Sequence, residues 1–206
     1  MSRILLIFGV ALVSLMAGAL FMAGRIAAVN SEPTSTVQPR VETMTAPELE
    51  ASSHPSFSLM GLDGEMRDFD EFAGRHRLLN FWATWCAPCR REIPLLKDFQ
   101  AEQGDDGILV IGIAVDVMED VQQYAEEAQF NYPILVGEMD AMAVAEQSGL
   151  QFHAMPFTMI VSADGEYLNA HFGELHRPDL DKISDVLARL DAGEIDTGTA
   201  RKALEL

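Results

Sequence analysis

Two kinds of apolar pattern alternate along the chain from about Ser56 onward. Leu78 to Ala83 and Ile108 to Val115 are near-continuous apolar runs, as strands buried on both faces require. Between them, Cys86 to about Gln103 places Ile93, Leu95, Leu96 and Phe99 at helical spacing and predicts a helix with one inward face. Val117 to Phe130 predicts a second amphipathic helix, stopped by Pro133. Ile134 to Val136 predicts a short strand, and Ala141 to Ser148 a helix closed by Gly149. Phe157 to Val161 and Tyr167 to Phe172 predict an antiparallel pair around an Asp164-Gly165 turn. Pro178 to Leu190 predicts a last helix with Ile183, Val186, Leu187 and Leu190 on one face. Ahead of these, Phe57 to Met60 and Met66 to Phe69 flank the turn Gly61-Leu62-Asp63-Gly64 and predict a hairpin, and Asp70 to Gly74 predicts a short helical turn. Strands that alternate with helices and end in a hairpin predict an α/β domain with a mixed sheet. No internal repeat is present.

The first 55 residues follow other rules. Ile4 to Gly24 carries no charge and one hydroxyl, Ser14, and is long enough to cross a bilayer core of roughly 30 Å as a helix. A cleaved signal peptide is the rival, because Ala17-Gly18-Ala19 fits a small-x-small site. Apolar residues continue through Leu20, Phe21 and Met22, which favours an uncleaved anchor. Arg3 and Arg25 nearly cancel as orientation signals. Either reading puts the rest of the chain outside the cytoplasm, where disulfides persist. From Asn30 to about Pro55, serine, threonine and proline replace any periodic pattern, as in an extended tether. The expected organisation is an anchor or signal over 1–25, a linker over 26–55, a folded domain over 56–192 and a C-terminal tail over 193–206.

Composition narrows the partners. The 206 residues are 49% hydrophobic, enough for a real core, and the net charge is −18. A surface this acidic argues against nucleic acid, whose phosphates a binding protein must neutralise. The two cysteines cannot build a disulfide scaffold. They stand instead as Cys86-Ala87-Pro88-Cys89, directly after the run Asn80-Phe81-Trp82-Ala83-Thr84-Trp85.

That position has chemical meaning. A helix N-terminus presents unpaired amide N–H groups and the positive end of its dipole, and both stabilise a thiolate. Cys86 is placed there, so its pKa is expected below the free value of about 8.5. Cys89 lies one turn on and can close a reversible disulfide, with Pro88 in the first turn where its missing N–H costs nothing. Cys86 is then the exposed, attacking thiol and Cys89 the shielded, resolving one. The same spacing serves as half of a zinc site, but two further ligands would be needed, and none of the five histidines pairs with another cysteine.

The stretch Asn80 to Pro94 resembles the active-site segment of thioredoxin-fold oxidoreductases, and more narrowly the membrane-anchored TlpA/ResA-like branch that reduces disulfides outside the bacterial cytoplasm. The likeness covers roughly Ser56 to Leu190. It implies a thioredoxin-like fold: a central mixed sheet flanked by helices, with an added N-terminal β-hairpin, preceded here by one transmembrane helix. It also implies a single-pass inner-membrane protein with its catalytic domain in the periplasm. Its substrates would be protein disulfides such as those of apocytochrome c or copper-site proteins. A membrane electron donor would re-reduce the site, and no cofactor or metal would be needed beyond the Cys86-Cys89 disulfide. Pro156 matches the family's cis-proline beside the cysteines, which leaves the Met155 main chain open to pair with a substrate strand. Glu92 matches an acidic residue that this branch keeps near the pair, where it raises the thiol pKa values or moves protons for Cys89. Thioredoxin itself has a buried aspartate where this chain has Asn80, so Glu92 becomes the candidate proton acceptor. Trp85, Ala87, Pro88 and Met155 are the candidate substrate contacts.

Other features read as structural. Trp82 is expected in the core, and Met139, Met142, Met155 and Met159 as core filler. Arg90 and Arg91 are either thiolate partners or solvated helix charges. His171 and His176 are expected on the surface, and the pairs Glu119-Asp120 and Glu126-Glu127 on solvated helix faces. Two rival functions exist. A thioredoxin-fold peroxidase would need an isolated peroxidatic cysteine with its own Thr and Arg partners. A copper-delivery module would recruit His153, but such proteins space their cysteines C-x-x-x-C.

Overall fold

The computed structural model describes residues 57–148, Leu150 and 154–205. The expected anchor and linker, Gly149 and His153 lie outside the described residues. Among the described residues no helix is long and apolar enough to cross a membrane.

Seven strands form one sheet: β1 (Ser58–Gly61), β2 (Met66–Asp68), β3 (Arg77–Trp82), β4 (Leu109–Val115), β5 (Ile134–Gly137), β6 (Phe157–Val161) and β7 (Tyr167–Phe172). Their order across the sheet is β2-β1-β5-β4-β3-β6-β7. The central pairs β3/β4 and β4/β5 are parallel, and all the other pairs are antiparallel. Among the described residues five α-helices accompany it: α1 (Ala87–Gln103), α2 (Met118–Ala128), α3 (Met139–Gln147), α4 (Arg177–Asp191) and α5 (Thr197–Ala203). The predicted hairpin is β1/β2, and it joins the sheet by pairing β1 with β5. The helical turn expected after it is a 3₁₀ turn over Phe69–Phe72, closed by a capping box in which Asp68 and Glu71 exchange backbone contacts.

The period of two along β3 sorts its side chains between two cores. Leu78 and Trp82 join one cluster with Ile93, Leu96 and Phe99 of α1 and Leu180, Ile183 and Leu187 of α4. Leu79 and Phe81 join the other, with Ile111, Ile113, Met159 and Val144 of α3. Phe81 stacks on Phe157 with ring centroids 4.3 Å apart. Because side chains alternate, Asn80 falls on the α1 face between Leu78 and Trp82. All six residues of β3 are buried, including its first, Arg77, whose guanidinium sits 4.7 Å over the Phe69 ring and donates to Ser162 O at 2.9 Å.

Residues 193–206, expected as a tail, carry the additional helix α5. Asp196 caps it by accepting from Thr199 N at 2.7 Å, and Arg201 donates to Tyr167 O of β7 at 3.0 Å. Ala200 and Leu204 are fully buried in the α1-side core. Only Ala200, Ala203 and Leu204 reach the core, and with Gly198 inside a seven-residue helix this leaves little periodicity to read from sequence. Cutting Leu204 back to alanine is expected to cost about 2–4 kcal/mol. A urea melt checks this: the midpoint should fall with an unchanged m-value, whereas a free tail would leave it in place.

Candidate functional site

The site lies where β3 hands the chain to α1. Phe81 and Trp82 end the strand, and the turn Ala83-Thr84-Trp85 is closed by Cys86 N donating to Ala83 O at 3.1 Å. Cys86 is the N-cap of α1. Its Sγ accepts from Cys89 N at 3.3 Å, and its carbonyl from Arg90 N at 3.1 Å. No acidic residue occupies the first turn of the helix. A negative sulfur at position 86 would therefore meet an amide donor and the dipole's positive end, as the sequence predicts. Cys86 and Cys89 are joined by a disulfide with Cα atoms 5.3 Å apart. With the ring closed, Cys86 is 5% exposed and Cys89 is 0% exposed. Both sulfurs are therefore buried in the oxidised protein, and the exposed Cys86 expected from the sequence is not seen, because the closed ring packs it into the same apolar cluster as Cys89.

A second carboxylate fixes this turn from the neighbouring strand. Asp116, just past β4, accepts from Thr84 N at 2.9 Å and from Thr84 Oγ1 at 2.6 Å through one oxygen. Its other oxygen accepts from Val117 N at 2.9 Å. Asp116 therefore ties the segment leading to Cys86 to the end of β4. Sequence reasoning missed it, because the contact spans 32 residues and nothing local marks it. The nearest signal was an aspartate closing an otherwise apolar run.

Glu92 is buried, 1% exposed, on the second turn of α1. It lies three residues after Cys89, on the same helix face. Its Oε1 accepts from Asn80 Nδ2 at 2.8 Å and its Oε2 from Leu175 N at 2.7 Å. Burial raises its pKa from the ordinary 4.5 to about 7; the two hydrogen bonds oppose that shift and nearby Glu174 adds to it. A carboxyl poised near neutrality can accept and return a proton at working pH. Asn80 and Glu92, two separate readings of the sequence, are thus one contact.

Pro156 directly precedes β6, whose Phe157 is registered with Phe81 of β3. That register puts Pro156 at the same end of the sheet as Cys86. The Met155-Pro156 bond is cis. Met155 packs, half-buried, on the cluster that contains both cysteines. Trp85 is 70% exposed, whereas Trp82 is buried against Tyr124 and Phe130. Arg91 pairs with Glu174 at 2.6 Å, and Arg90 lies over the Tyr124 ring at 5.3 Å. Both guanidinium groups are engaged in these contacts, and Arg90 meets the cysteines through its main-chain N–H, which donates to the Cys86 carbonyl.

The described residues place their exposed large apolar side chains in one region. Trp85, Val117 and Met139 follow the carboxyl ends of β3, β4 and β5. Phe172 ends β7 beside Phe157, while Met60 pairs with Val136 near the end of β5 and Met66 pairs with Met60. Met139, expected as core filler, is 71% exposed: at the first position of α3 it stands clear of the core that Ala141 and Val144 enter. Met159 is core, and Met142 and Met155 are half-buried. His176 is exposed as expected, while His171 is half-buried, because its place on β7 turns it toward the loop of Glu174.

A family model described as the AhpC/TSA family matches residues 51–167. The chain is 29% identical to the thioredoxin-like protein YneN of Bacillus subtilis over 141 residues, which are 66% of this chain and 79% of that one. It is 26% identical to the thiol-disulfide oxidoreductase ResA of Geobacillus kaustophilus over 132 residues, 64% of this chain and 74% of that one. Among solved structures, a thiol:disulfide interchange protein of the thioredoxin family from Chlorobium tepidum superposes with a TM-score of 0.60 at 25% identity, covering 67% of this chain and 97% of that one. The fold is thioredoxin-like.

Two outcomes test the geometry. Glu92 binds its proton more tightly in the folded state, so its burial costs nothing below pH 4.5, costs more as pH rises, and costs its full amount above about 7. The stability difference between wild type and Glu92→Gln, measured on the oxidised protein, should therefore move by roughly 3 kcal/mol in the variant's favour between pH 4 and 8. A flat difference would show that the fold does not raise this pKa, the two hydrogen bonds then offsetting burial. Asp116→Ala should speed hydrogen exchange at the Thr84 amide by at least about tenfold, the effect of losing roughly 1.4 kcal/mol of local protection. An unchanged rate would mean that the turn holds itself.

Proposed function

Because the chain belongs to the AhpC/TSA family and its two cysteines close a disulfide at a helix N-terminus, we propose that it reduces disulfides in extracytoplasmic partner proteins. It is a thiol–disulfide oxidoreductase of the thioredoxin superfamily, similar to the thiol-disulfide oxidoreductase ResA and to the thioredoxin-like protein YneN. The observation that carries the reading is the N-capping Sγ of Cys86, with Cys89 one turn behind it and Glu92 buried on the same face.

In the reducing direction, the Cys86 thiolate attacks one sulfur of the partner's disulfide. A mixed disulfide forms and the partner's other sulfur leaves as a thiolate. Cys89 then loses its proton to Glu92 and attacks Cys86 Sγ. The second partner thiol is released and the Cys86-Cys89 bond closes. Two electrons pass to the partner, and a donor must return two to the site. Trp85, the Ala87-Pro88 turn and the Met155 main chain form the surface on which the partner strand is held. The apolar rim from Met60 to Phe172 suits a protein partner better than a small molecule, because it extends well past the two sulfurs. The membrane reading of Ile4 to Gly24 supports a single-pass anchor, a site facing the periplasm, and a donor in the same membrane. Apocytochrome c and copper-site proteins are the substrates proposed from the TlpA/ResA likeness.

A peroxidase fits less well. Cys86 is tied to a partner three residues away, and the Thr84 hydroxyl is held by Asp116. The soluble domain should reduce insulin with dithiothreitol as donor and consume peroxide at background rate. Cys86→Ser should abolish insulin reduction. Cys89→Ser, expressed in cells with its N-terminal segment, should accumulate mixed disulfides that mass spectrometry identifies. Absence of both insulin reduction and trapped partners would overturn the proposal.

A further inference from the structure

We propose that the groove between the β1/β2 hairpin and the first turns of α2 and α3 seats a lysine- or arginine-bearing segment of the partner protein, so that the protein selects disulfides with positive charge nearby. This deepens the disulfide-reductase reading and rests on it. The groove encloses about 210 Å³. Met60 and Met66, exposed and paired across the hairpin, line one side, and Met118 of α2 lines another. Every charged residue that lines it is acidic: Asp116, Glu138 and Asp140. Asp116 is the carboxylate that also holds Thr84, so the groove is continuous with the turn that leads to Cys86. β5, whose end it flanks, is two strand spacings from β3, roughly 10 Å. About three extended residues of a partner chain cover that distance.

The apolar walls make the groove, and the charges choose its occupant. No lysine or arginine occurs between Lys97 and Arg177, the stretch that builds β4, α2, β5, α3, β6 and β7. Elsewhere acids such as Asp63, Glu102 and Glu174 are paired with arginines. Asp116, Glu138 and Asp140 enter no ion pair among the described residues. Both oxygens of Asp116 are taken by Thr84 and Val117. Glu138 and Asp140 are exposed, and Glu138 stands at the N-cap of α3 without using its side chain there. The start of α3 favours these charges in the free protein. A cation to complete them must come from another molecule.

A lysine or arginine suits both parts of the groove. Its methylenes can lie along the methionines while its charged end meets Glu138 and Asp140. A wholly apolar segment would strip water from two carboxylates and give nothing in return. An acidic segment, or a second copy of this chain with its net charge of −18, would be repelled.

The test uses full-length protein in a non-ionic detergent, reduced and then freed of reductant, so that its own two thiols supply the electrons. Two disulfide-looped peptides are compared that differ only three residues beyond each cysteine, with lysine in one and glutamine in the other. At low salt the lysine peptide should be reduced at least about fivefold faster. Glu138→Gln with Asp140→Asn should cut that preference below about twofold and leave the glutamine peptide's rate unchanged. Glu126→Gln with Glu127→Gln removes the same charge two turns further along α2 and should preserve the preference. Equal loss in the two double variants overturns the proposal, because net charge alone would then steer the peptide. Equal rates for the two peptides on wild type overturn it too. So does a fall that both peptides share, since α3 would then support the site without reading charge. The labelled methyl groups of Met60, Met66 and Met118, followed by NMR in oxidised protein, should shift on adding the lysine peptide. Shifts that follow protein concentration instead assign the groove to a second copy and overturn the proposal. Insulin reduced without any lysine preference removes the groove assignment alone; failure to reduce insulin or either peptide removes the reductase reading beneath it.

Discussion

The site depends on a strand that ends where a helix begins, and on that junction being held from both sides. β3 is paired with β4 on one edge and β6 on the other, so its carboxyl end has little freedom. Asp116 extends this restraint past the last ladder bond by taking Thr84 from the β4 side. The chain can then enter α1 with Cys86 as its cap, and the amide that reaches the sulfur is the helix's own. A side chain at the same position on a freely moving loop would meet water instead of a fixed donor. Under the proposed function, the backbone at this junction is what would stabilise a thiolate at Cys86.

Much of this was legible in the residues. The double apolar runs of β3 and β4, the C-x-x-C that follows the first, and the cis-proline position before β6 are local patterns with local causes. Glu92 was legible as a candidate, since a glutamate three places after Cys89 shares its helix face. Its burial was not legible: the second donor that supports it is Leu175 N, 83 residues away. Asp116 was missed for the same reason. It acts across a strand pairing, and register is fixed by the whole sheet, not by neighbours in sequence. Met139 failed in the opposite sense. Apolar character alone placed it in the core, but the first residue of α3 points away from the face that α3 buries.

The exposed apolar residues and the acidic charge fit together. A net charge of −18 opposes association between copies of this chain, which offsets the pull of an exposed apolar rim. The methionines within it, with their flexible unbranched side chains, can adapt to more than one partner surface. The far end of the sheet has no such rim. There His76 is held between Ala163 N, which donates to its Nδ1 at 3.1 Å, and Asp191 at 2.9 Å. With both ring nitrogens engaged, that histidine is structural.

Asn80 is best understood through its contact with Glu92. The strand position and the helix position are opposite walls of one buried polar pocket, 2.8 Å apart across the hydrogen bond. Carboxylates on both walls would stand as close as a hydrogen-bonded pair, and both could not be charged. A pocket with one acid therefore needs a donor on the other wall, and an asparagine provides one in nearly the same volume as an aspartate. Moving the acid from strand to helix also changes what it can serve. A carboxyl on β3 is fixed to the sheet, whereas Glu92 stands on the same helix and the same face as Cys89. In the proposed reaction, the proton that leaves Cys89 during resolution would find its acceptor on the element that carries the thiol.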